Sequence, residues 1–232
     1  MGKVVDYRSA EARAAAPGVA IVPVVDWFDG TELAASVVKL DASARYAAKV
    51  PTGSDQYLFA LDGAPKLGGT ALARDSWALI AEGTEYALEG AGLVLSVQAP
   101  PPGAGMKRPG FQGGVKLMRV ADEPEIDIPA EKKRRVYLCN RAIGSERAHA
   151  MIVRYTGETV TRLHHHPNAE SLFVVLDGHV AFTVDGKRRV LGRGEVAFFP
   201  SNNPHGLKSA DGQSLSFLEF HVPGAYETSY DD

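Results

Sequence analysis

Short apolar runs bounded by turn dipeptides constrain the fold of this chain more than any other sequence feature. Four clear runs lie in the second half: SLFVVL (171–176), HVAFTV (179–184), EVAFFP (195–200) and LSFLEFHV (215–222). Asp177-Gly178 and Asp185-Gly186 follow two of these runs and are typical of β-hairpin turns. Many short strands joined by turns predict an all-β barrel or sandwich. Helix is expected only at weak candidates such as 8–16.

Composition and charge indicate a folded protein of one large or two small domains. The chain has 232 residues, of which 45% are hydrophobic and 23% charged, and its net charge is −3. These values argue against a disordered chain and against a general nucleic-acid or membrane-surface binder. The densest basic run, EKKRR (131–135), follows acidic residues and is interpreted as a solvated face. The single cysteine, Cys139, is expected to be a buried structural thiol.

The sequence favours a cytoplasmic location. The first residues include acids and lack a continuous apolar core, which argues against a secretory signal. No stretch approaches the roughly 18 apolar residues of a membrane-spanning helix. We therefore expect a small-molecule substrate as the binding partner, with no nucleic acid and no membrane.

The two halves of the chain resemble each other. YLFALDG (57–63) is similar to LFVVLDG (172–178), and a strand-like run precedes each of them. Between them, residues 99–114 are rich in proline and glycine and indicate a connection. We predict an internal duplication with three segments: an N-terminal domain at 1–100, a linker at 101–135 and a C-terminal domain at 136–232.

Histidines are confined to the second half: all seven lie after position 148, and three of them are consecutive. Neutral imidazole is the commonest side-chain ligand of metal ions. His164 and His166, two residues apart, would point to the same face of an extended strand. His205 follows a predicted strand and a turn that would bring it back towards this pair, so it is the candidate third ligand. Glu170 is the nearest carboxylate.

The first histidine cluster resembles a motif of the cupin superfamily, whose members are small β-barrels that often hold one metal ion. The motif contains a glycine, an H-x-H pair, a glutamate and a second glycine. His164 and His166 match the pair, and Gly178 matches the final glycine at its outer spacing. Gly157 matches the first glycine with one residue too many.

The second cupin motif is also similar to this sequence. Gly194, Pro200 and His205 match it with the correct spacing. Asn202 stands in place of the middle glycine, and Ser209 in place of the final asparagine. Asparagine tolerates positive φ angles, so we expect the turn to be kept. The two motifs together are more specific than either alone.

The resemblance implies an all-β protein of two cupin barrels, also called double-stranded β-helix or jelly-roll barrels, with a metal site in the C-terminal barrel only. Aligned on the repeated glycines, the N-terminal barrel has no ligand set, so we expect it to be metal-free and to serve as scaffold or subunit contact. By analogy with two-barrel proteins, a homodimer is expected. The N-terminal counterparts of His164, His166, Ser171 and His205 are Lys49, Pro51, Gln56 and Tyr86.

The glutamate of the first motif is ambiguous. Counted from His166 it is Glu170, and counted back from Gly178 its position holds Ser171. Neighbouring strand residues face opposite sides, so an inward Ser171 turns Glu170 away from the barrel interior. Either a bulge brings Glu170 onto the metal, or the site has three histidines only. We favour the second interpretation, and some cupin-like dioxygenases hold iron in that way.

The expected function is that of a non-haem Fe(II) dioxygenase acting on a small oxygenated organic substrate. One divalent transition metal per chain, with three or four protein ligands, leaves positions open for substrate and dioxygen. Mn, Zn or Ni would instead suit a redox-neutral isomerase, lyase or decarboxylase, and a non-catalytic small-molecule-binding cupin is a further alternative. Arg154 would anchor a carboxylate if it points inward. The predicted substrate pocket consists of Ser171, Phe173, Arg154, Phe199 and His221.

Overall fold

The structure is a computed structural model that describes residues 1–27, 32–103, 107–210 and 212–230. The described residues form antiparallel β-sheets, which confirms the all-β prediction. Short 3₁₀ turns occur at Val120–Asp122, Pro129–Glu131 and Arg141–Ile143.

Within the described ranges, no helix has the length and apolar character needed to cross a lipid bilayer.

The chain divides into two compact units. The C-terminal unit contains Met1–Ser9, Pro124–Arg141 and Ala148–Asp232, and the N-terminal unit contains Ala10–Glu123 and Ala142–Arg147. Of the predicted linker, residues 101–123 belong to the N-terminal unit and residues 124–135 to the C-terminal unit. Residues 104–106 of that linker lie outside the described residues.

The first strand of the chain, β1 (Lys3–Asp6), belongs to the C-terminal unit. The strands that follow form the N-terminal unit: β2 (Arg13–Ala16), β3 (Val19–Val25), β4 (Ala34–Leu40), β5 (Arg45–Lys49), β6 (Asp55–Gly63), β7 (Lys66–Leu67), β8 (Thr70–Ala71), β9 (Ser76–Ile80), β10 (Glu85–Glu89), β11 (Gly92–Ala99) and β12 (Val115–Arg119). They form a 7-stranded sheet in the order β12-β9-β6-β11-β4-β3-β2 and a 4-stranded sheet in the order β5-β10-β7-β8.

The weak helix expected at 8–16 is wrong, because β2 pairs antiparallel with β3. Arg13 lies opposite Ile21, and Ala14 lies opposite Ala20. The alanines favour a helix only through their intrinsic propensity, which tertiary contacts readily override.

The remaining strands form the C-terminal unit together with β1. They are β13 (Ile126–Ile128), β14 (Lys133–Cys139), β15 (His149–Tyr155), β16 (His164–His165), β17 (Glu170–Asp177), β18 (His179–Val184), β19 (Lys187–Gly192), β20 (Glu195–Phe199), β21 (His205–Ser209), β22 (Leu215–Val222) and β23 (Ser229–Tyr230). The 7-stranded sheet has the order β1-β20-β17-β22-β15-β14-β13, and the 5-stranded sheet has the order β19-β18-β21-β16-β23.

The two 7-stranded sheets have matching strand orders except at one edge, where β12 follows the other strands of its unit in the sequence and β1 precedes those of its own. Strands β6 and β17, which contain the repeated sequences, are both third from one edge of their sheet. On one side β6 pairs with β11, and β17 pairs with β22. The next strand in each sheet also corresponds, β4 beside β11 and β15 beside β22. The similarity of the two halves therefore extends from the repeated sequence to the topology of the sheets.

The two turn dipeptides have different roles. Asp185 and Gly186 have φ angles of 47° and 73° and join the paired strands β18 and β19, which confirms a hairpin there. Asp177-Gly178 was also expected to form a hairpin, and this expectation is wrong. The strands on either side of it, β17 and β18, lie in different sheets, so this turn instead leads the chain from one sheet to the other.

Alternate residues of the two C-terminal sheets form one buried core. Phe173, Phe182, Phe199 and Phe217 form its aromatic centre, and the ring centroid of Phe173 lies 5.1 to 5.7 Å from those of the other three. Each ring comes from a different strand (β17, β18, β20 and β22), at a position whose side chain faces the core because side chains alternate along a strand. The core holds the two sheets together beneath the histidines.

Phe217→Ala should strongly destabilise the C-terminal unit. The ring is 1% exposed, and its removal leaves a cavity that the surrounding rings fill only in part, so we expect a loss of about 3–5 kcal/mol in the free energy of unfolding. Urea denaturation measures this loss. Val190→Ala, at a side chain that is 56% exposed, is the control and should change the value by less than about 0.5 kcal/mol; equal losses in both variants would contradict the assigned core.

Candidate metal centre

Three histidines converge in the C-terminal unit. His164 on β16 and His205 on β21 are directly opposed partners in an antiparallel pair, and their ring centroids lie 4.6 Å apart. The ring of His166 lies 5.3 Å from that of His164 and 5.2 Å from that of His205. One ring nitrogen from each lies within 4.8 Å of those of the other two. Two adjacent strands of one sheet, with the residue that follows β16, thus bring together the three histidines singled out in the sequence.

Backbone carbonyls orient all three rings through the same nitrogen. The Nδ1 atoms of His164, His166 and His205 lie 2.8, 2.7 and 2.9 Å from the carbonyl oxygens of Arg162, Glu227 and Asn203. A carbonyl oxygen only accepts hydrogen bonds, so each Nδ1 donates its proton. In the neutral rings the lone pair is therefore on Nε2, as in metal sites where the outer nitrogen of each ligand is fixed by a hydrogen bond.

The Nε2 atoms of His166 and His205 are buried and have no hydrogen-bond partner among the described residues. These side chains are only 3% and 2% exposed. Two buried acceptors without partners are costly unless a further group satisfies them. Three neutral imidazoles around one point suit a divalent transition metal, so the donor set fits such an ion.

Burial keeps these rings neutral. Loss of hydration, together with the nearby histidines, lowers the pKa of His166 to about 4 and that of His205 to about 3. Their hydrogen bonds to backbone carbonyls act in the opposite direction but are the smaller effect. At neutral pH both rings are thus in the unprotonated form that a metal requires.

Glu170 does not join the three histidines in the part of the chain that the structure describes. Its strand keeps a regular register with β22, in which Glu170 lies opposite Val222 and Ser171 lies opposite His221. With no bulge at this point, Glu170 and Ser171 face opposite sides of the sheet. Glu170 is nevertheless buried, with 6% of its surface exposed.

Comparison with known proteins identifies one domain in this part of the chain. The family model described as a cupin domain matches residues 151–221, which contain all three histidines. Residues 151–221 form a cupin domain. No curated protein matches the chain in sequence.

Solved structures of similar fold extend the resemblance to almost the whole chain. Oxalate decarboxylase from Lactobacillus farciminis, in complex with formate, has a TM-score of 0.71 at 13% identity, covering 98% of this chain and 88% of that one. Bacillus subtilis oxalate decarboxylase, a protein with Mn(II) centres, has a TM-score of 0.70 at 13% identity, covering 98% and 78%. Escherichia coli Ylba has a TM-score of 0.73 at 10% identity, covering 95% and 90%. At these identities the similarity shows the fold alone.

A cavity of about 730 Å³ opens beside the histidines of the cupin domain. Its walls combine apolar rings with charged side chains. The residues that line it include His164, His166, His205, Val153, Tyr155, Phe173, Leu207, Phe217, Glu131, Lys133, Arg135, Glu158, Arg162, Glu219, Tyr226 and Tyr230. The cavity is large enough for a small organic substrate.

Of the predicted pocket residues, only Phe173 is among those that line this cavity. Phe199 stacks behind His205, with ring centroids 4.4 Å apart and an interplanar angle of 21°. The Ser171 hydroxyl lies 2.9 Å from Nδ1 of His221, and both side chains are buried. These three residues support the site from behind instead of contacting a substrate.

Arg154, expected to anchor a carboxylate if it pointed inward, is not among the described residues that line this cavity. Its guanidinium binds the carboxylate of Glu125 at 2.6 Å, and 41% of its side chain is exposed. On the same strand, Val153 and Tyr155 point into the core. Strand alternation therefore turns Arg154 to the opposite face of the sheet.

Sequence reasoning missed Glu219, which lines the cavity. Its Oε1 lies 2.8 Å from Nε2 of His221, and its side chain is 17% exposed. Burial would raise its pKa, but the hydrogen bond and charge of His221, with Arg135 and His166, lower it to about 2. The signal was an acidic residue within the apolar strand sequence FLEFH, two residues before His221 and so on the same face.

The C-terminal segment was also missed. The carbonyl of Glu227 accepts the hydrogen bond from His166, and Tyr230 pairs with His164 across strands β23 and β16. Tyr226 stacks on His221 with ring centroids 3.8 Å apart. Nothing in the spacing of this short polar segment indicates that it returns to the histidines.

Acidification should destabilise the metal-free protein because His166 and His205 stay neutral when folded but bind protons when unfolded. Their folded pKa values of about 4 and about 3 lie below the unfolded value of about 6.5, so the free energy of unfolding falls as pH drops from 6.5 towards 4. Between pH 7 and pH 5, each ring should lower the free energy of unfolding by about 2 kcal/mol. Urea denaturation at the two pH values measures the difference, which should shrink by about 2 kcal/mol in His205→Gln. If His205→Gln lost as much stability between the two pH values as the wild type, the ring of His205 would not be held neutral by burial.

Asn168→Ala should weaken metal binding without touching a ligand. The Asn168 side chain donates to the carbonyl of Ala225 at 2.9 Å and accepts from the amide of Glu227 at 2.8 Å, so it holds the carbonyl that orients His166. Loss of such support weakens metal affinity by about 10-fold or more. Competition with a chromophoric chelator measures the affinity. Ser43→Ala, which removes an exposed hydrogen bond of the N-terminal unit, is the control, and equal affinity of the two variants would refute the role of Asn168.

Proposed function

We propose that this chain is a metal-dependent enzyme whose ion is bound by Nε2 of His164, His166 and His205. The observation that supports this most is the common orientation of the three rings, each with Nδ1 hydrogen-bonded to a carbonyl and two with a buried, unpartnered Nε2. Without an ion, two buried acceptor nitrogens have no partner, which destabilises the folded state. Glu170 is not needed as a ligand.

For the reaction, we propose Fe(II)-dependent dioxygenation of a small oxygenated organic substrate. Three protein ligands leave several positions open, enough for a substrate with two oxygen donors and for dioxygen. Bound Fe(II) would supply dioxygen activation, and the residues of the cavity would supply binding and orientation. Imidazole ligands suit iron, and they also suit Mn, Zn and Ni.

Different residues of the cavity would bind the substrate and position the histidines. Phe173, Phe217 and Tyr155 give an apolar wall beside the histidines, which favours the carbon skeleton of a substrate and excludes water. Glu219, with a pKa of about 2, is too weak a base to take a proton from a substrate at neutral pH. It acts instead through its negative charge and its hydrogen bond to His221, which hold that ring behind His166.

A second candidate is redox-neutral decarboxylation of a small organic acid. The observation that favours it is the similarity of the fold to oxalate decarboxylases, one of them bound to formate and one with Mn(II) centres. In this reaction the open positions would bind the carboxylate of the substrate. No net consumption of dioxygen accompanies it.

The two reactions differ in what they consume. Protein loaded separately with Fe(II) and Mn(II) would be mixed with panels of diols, keto acids and dicarboxylic acids, with dioxygen and carbon dioxide measured together. If the reaction is dioxygenation, the Fe(II)-loaded protein should consume dioxygen in proportion to the substrate that it converts. Carbon dioxide release without net dioxygen consumption would favour decarboxylation. Ligand binding without turnover in either form would refute both and favour a binding protein.

His205→Ala should lose the metal and keep the fold. Removing one of three ligands leaves two imidazoles, and purified protein without a histidine tag should fall from roughly one ion per chain to a small fraction of that. Metal analysis by mass spectrometry gives the stoichiometry, and circular dichroism checks the fold. His179→Ala removes an exposed histidine of the same unit and should keep the metal. Full metal content in His205→Ala would remove His205 from the site.

A further inference from the structure

The basic run 131–135 is not a solvated face throughout. It enters strand β14, where alternation places Lys133, Arg135 and Tyr137 on one face and Arg134 on the other. Arg134 is exposed and pairs with Glu125, whereas Lys133 is 7% exposed and Arg135 is half-buried. Both Lys133 and Arg135 line the cavity beside the three histidines.

The two inward cations differ in their partners. Lys133 forms an ion pair with Glu131. The guanidinium of Arg135 interacts with the side chains of Tyr137 and Glu219, but its Nε is buried and has no hydrogen-bond partner within the described part of the chain. Because Arg135 is half-buried and lines the cavity, the planar fork of its guanidinium can donate hydrogen bonds to a ligand there.

The charge of the cavity favours an anion. Its lining contains the basic side chains of Lys132, Lys133, Arg135 and Arg162 against the carboxylates of Glu131, Glu158 and Glu219. Four basic side chains thus face three carboxylates, and the basic groups are in excess even before a metal binds. A divalent ion at the histidines would increase that excess.

The apolar part of the lining limits the kind of anion. Val153, Tyr155, Phe173, Leu207 and Phe217 face the same cavity. Inorganic anions gain nothing from these groups, whereas the carbon skeleton of an organic acid is desolvated against them. A ligand that meets both parts of the lining has a carboxylate and an apolar body.

We propose that Arg135 binds a carboxylate of the substrate, so that the substrates of this site are small organic acids whose remaining oxygens face the three histidines. The role expected for Arg154 then falls to a residue on the neighbouring strand, because Arg135 lies opposite Val153. Arg135 is a specificity-determining residue. The contact between substrate oxygens and a metal at the histidines rests on the proposed function. The contact between the carboxylate and Arg135 does not depend on a metal.

Calorimetric titration of the metal-loaded full chain with α,ω-dicarboxylates from succinate to suberate tests this proposal. At least one member should bind saturably, and its uncharged diamide of equal length should bind about tenfold more weakly or worse. Arg135→Gln should weaken binding of that member by about tenfold or more at unchanged metal content. Arg134→Gln is the matched control from the opposite face of β14, and it should keep the affinity within about twofold.

The proposal is overturned if no dicarboxylate binds, if acid and diamide bind equally, or if the two variants behave alike. Should Arg135→Gln fail to fold, Arg135→Lys keeps the charge but loses the planar fork. It should bind the acid more weakly than the wild type, and unchanged affinity would count against the proposal.

The same titration without metal separates this inference from the proposed function. If the chain binds no metal but anion binding still depends on Arg135, the metal proposal fails and this inference stands. If the chain binds metal through its histidines but anion binding is indifferent to Arg135, only this inference fails.

Discussion

The hydrogen bonds from Nδ1 of three histidines to backbone carbonyls are the interactions on which the candidate site depends. They fix the tautomer, because a carbonyl cannot donate, and they fix the direction of each ring. The carbonyls belong to three separate segments: the approach to β16, the turn before β21 and the C-terminal segment. The site is therefore a property of how these segments meet in the C-terminal unit.

The surroundings of the rings explain why the arrangement suits a metal ion better than a proton. His166 and His205 lie against aromatic rings, Tyr226 for the first and Phe199 for the second, so a charged imidazole is poorly solvated there. A bound ion places its charge in the same surroundings but is coordinated directly by the nitrogens. Glu219, ionised and held by His221 next to His166, lowers the cost of a positive charge at that point.

Much of the fold could be predicted from the sequence because its signals are local. Short apolar runs bounded by turns predicted β17, β18, β20 and β22, and Asn202 adopts the positive φ of 62° that its place in the motif required. The three histidines could be identified from the sequence because of their spacing. Glu219, Arg135 and the C-terminal segment were missed or misread, because their roles depend on which strands become neighbours and which face points inward. In the sequence, an isolated acid, a basic run or a polar tail that lines a cavity cannot be told from one that is exposed to solvent.

Anomalous diffraction from crystals of the chain grown with Fe(II) tests the central claim most directly. We expect one strong peak at the iron edge, about 2.1 Å from Nε2 of His164, His166 and His205, with each Nδ1 still hydrogen-bonded to its carbonyl. A peak coordinated through Nδ1, a peak elsewhere in the chain, or no peak at saturating Fe(II) would contradict it.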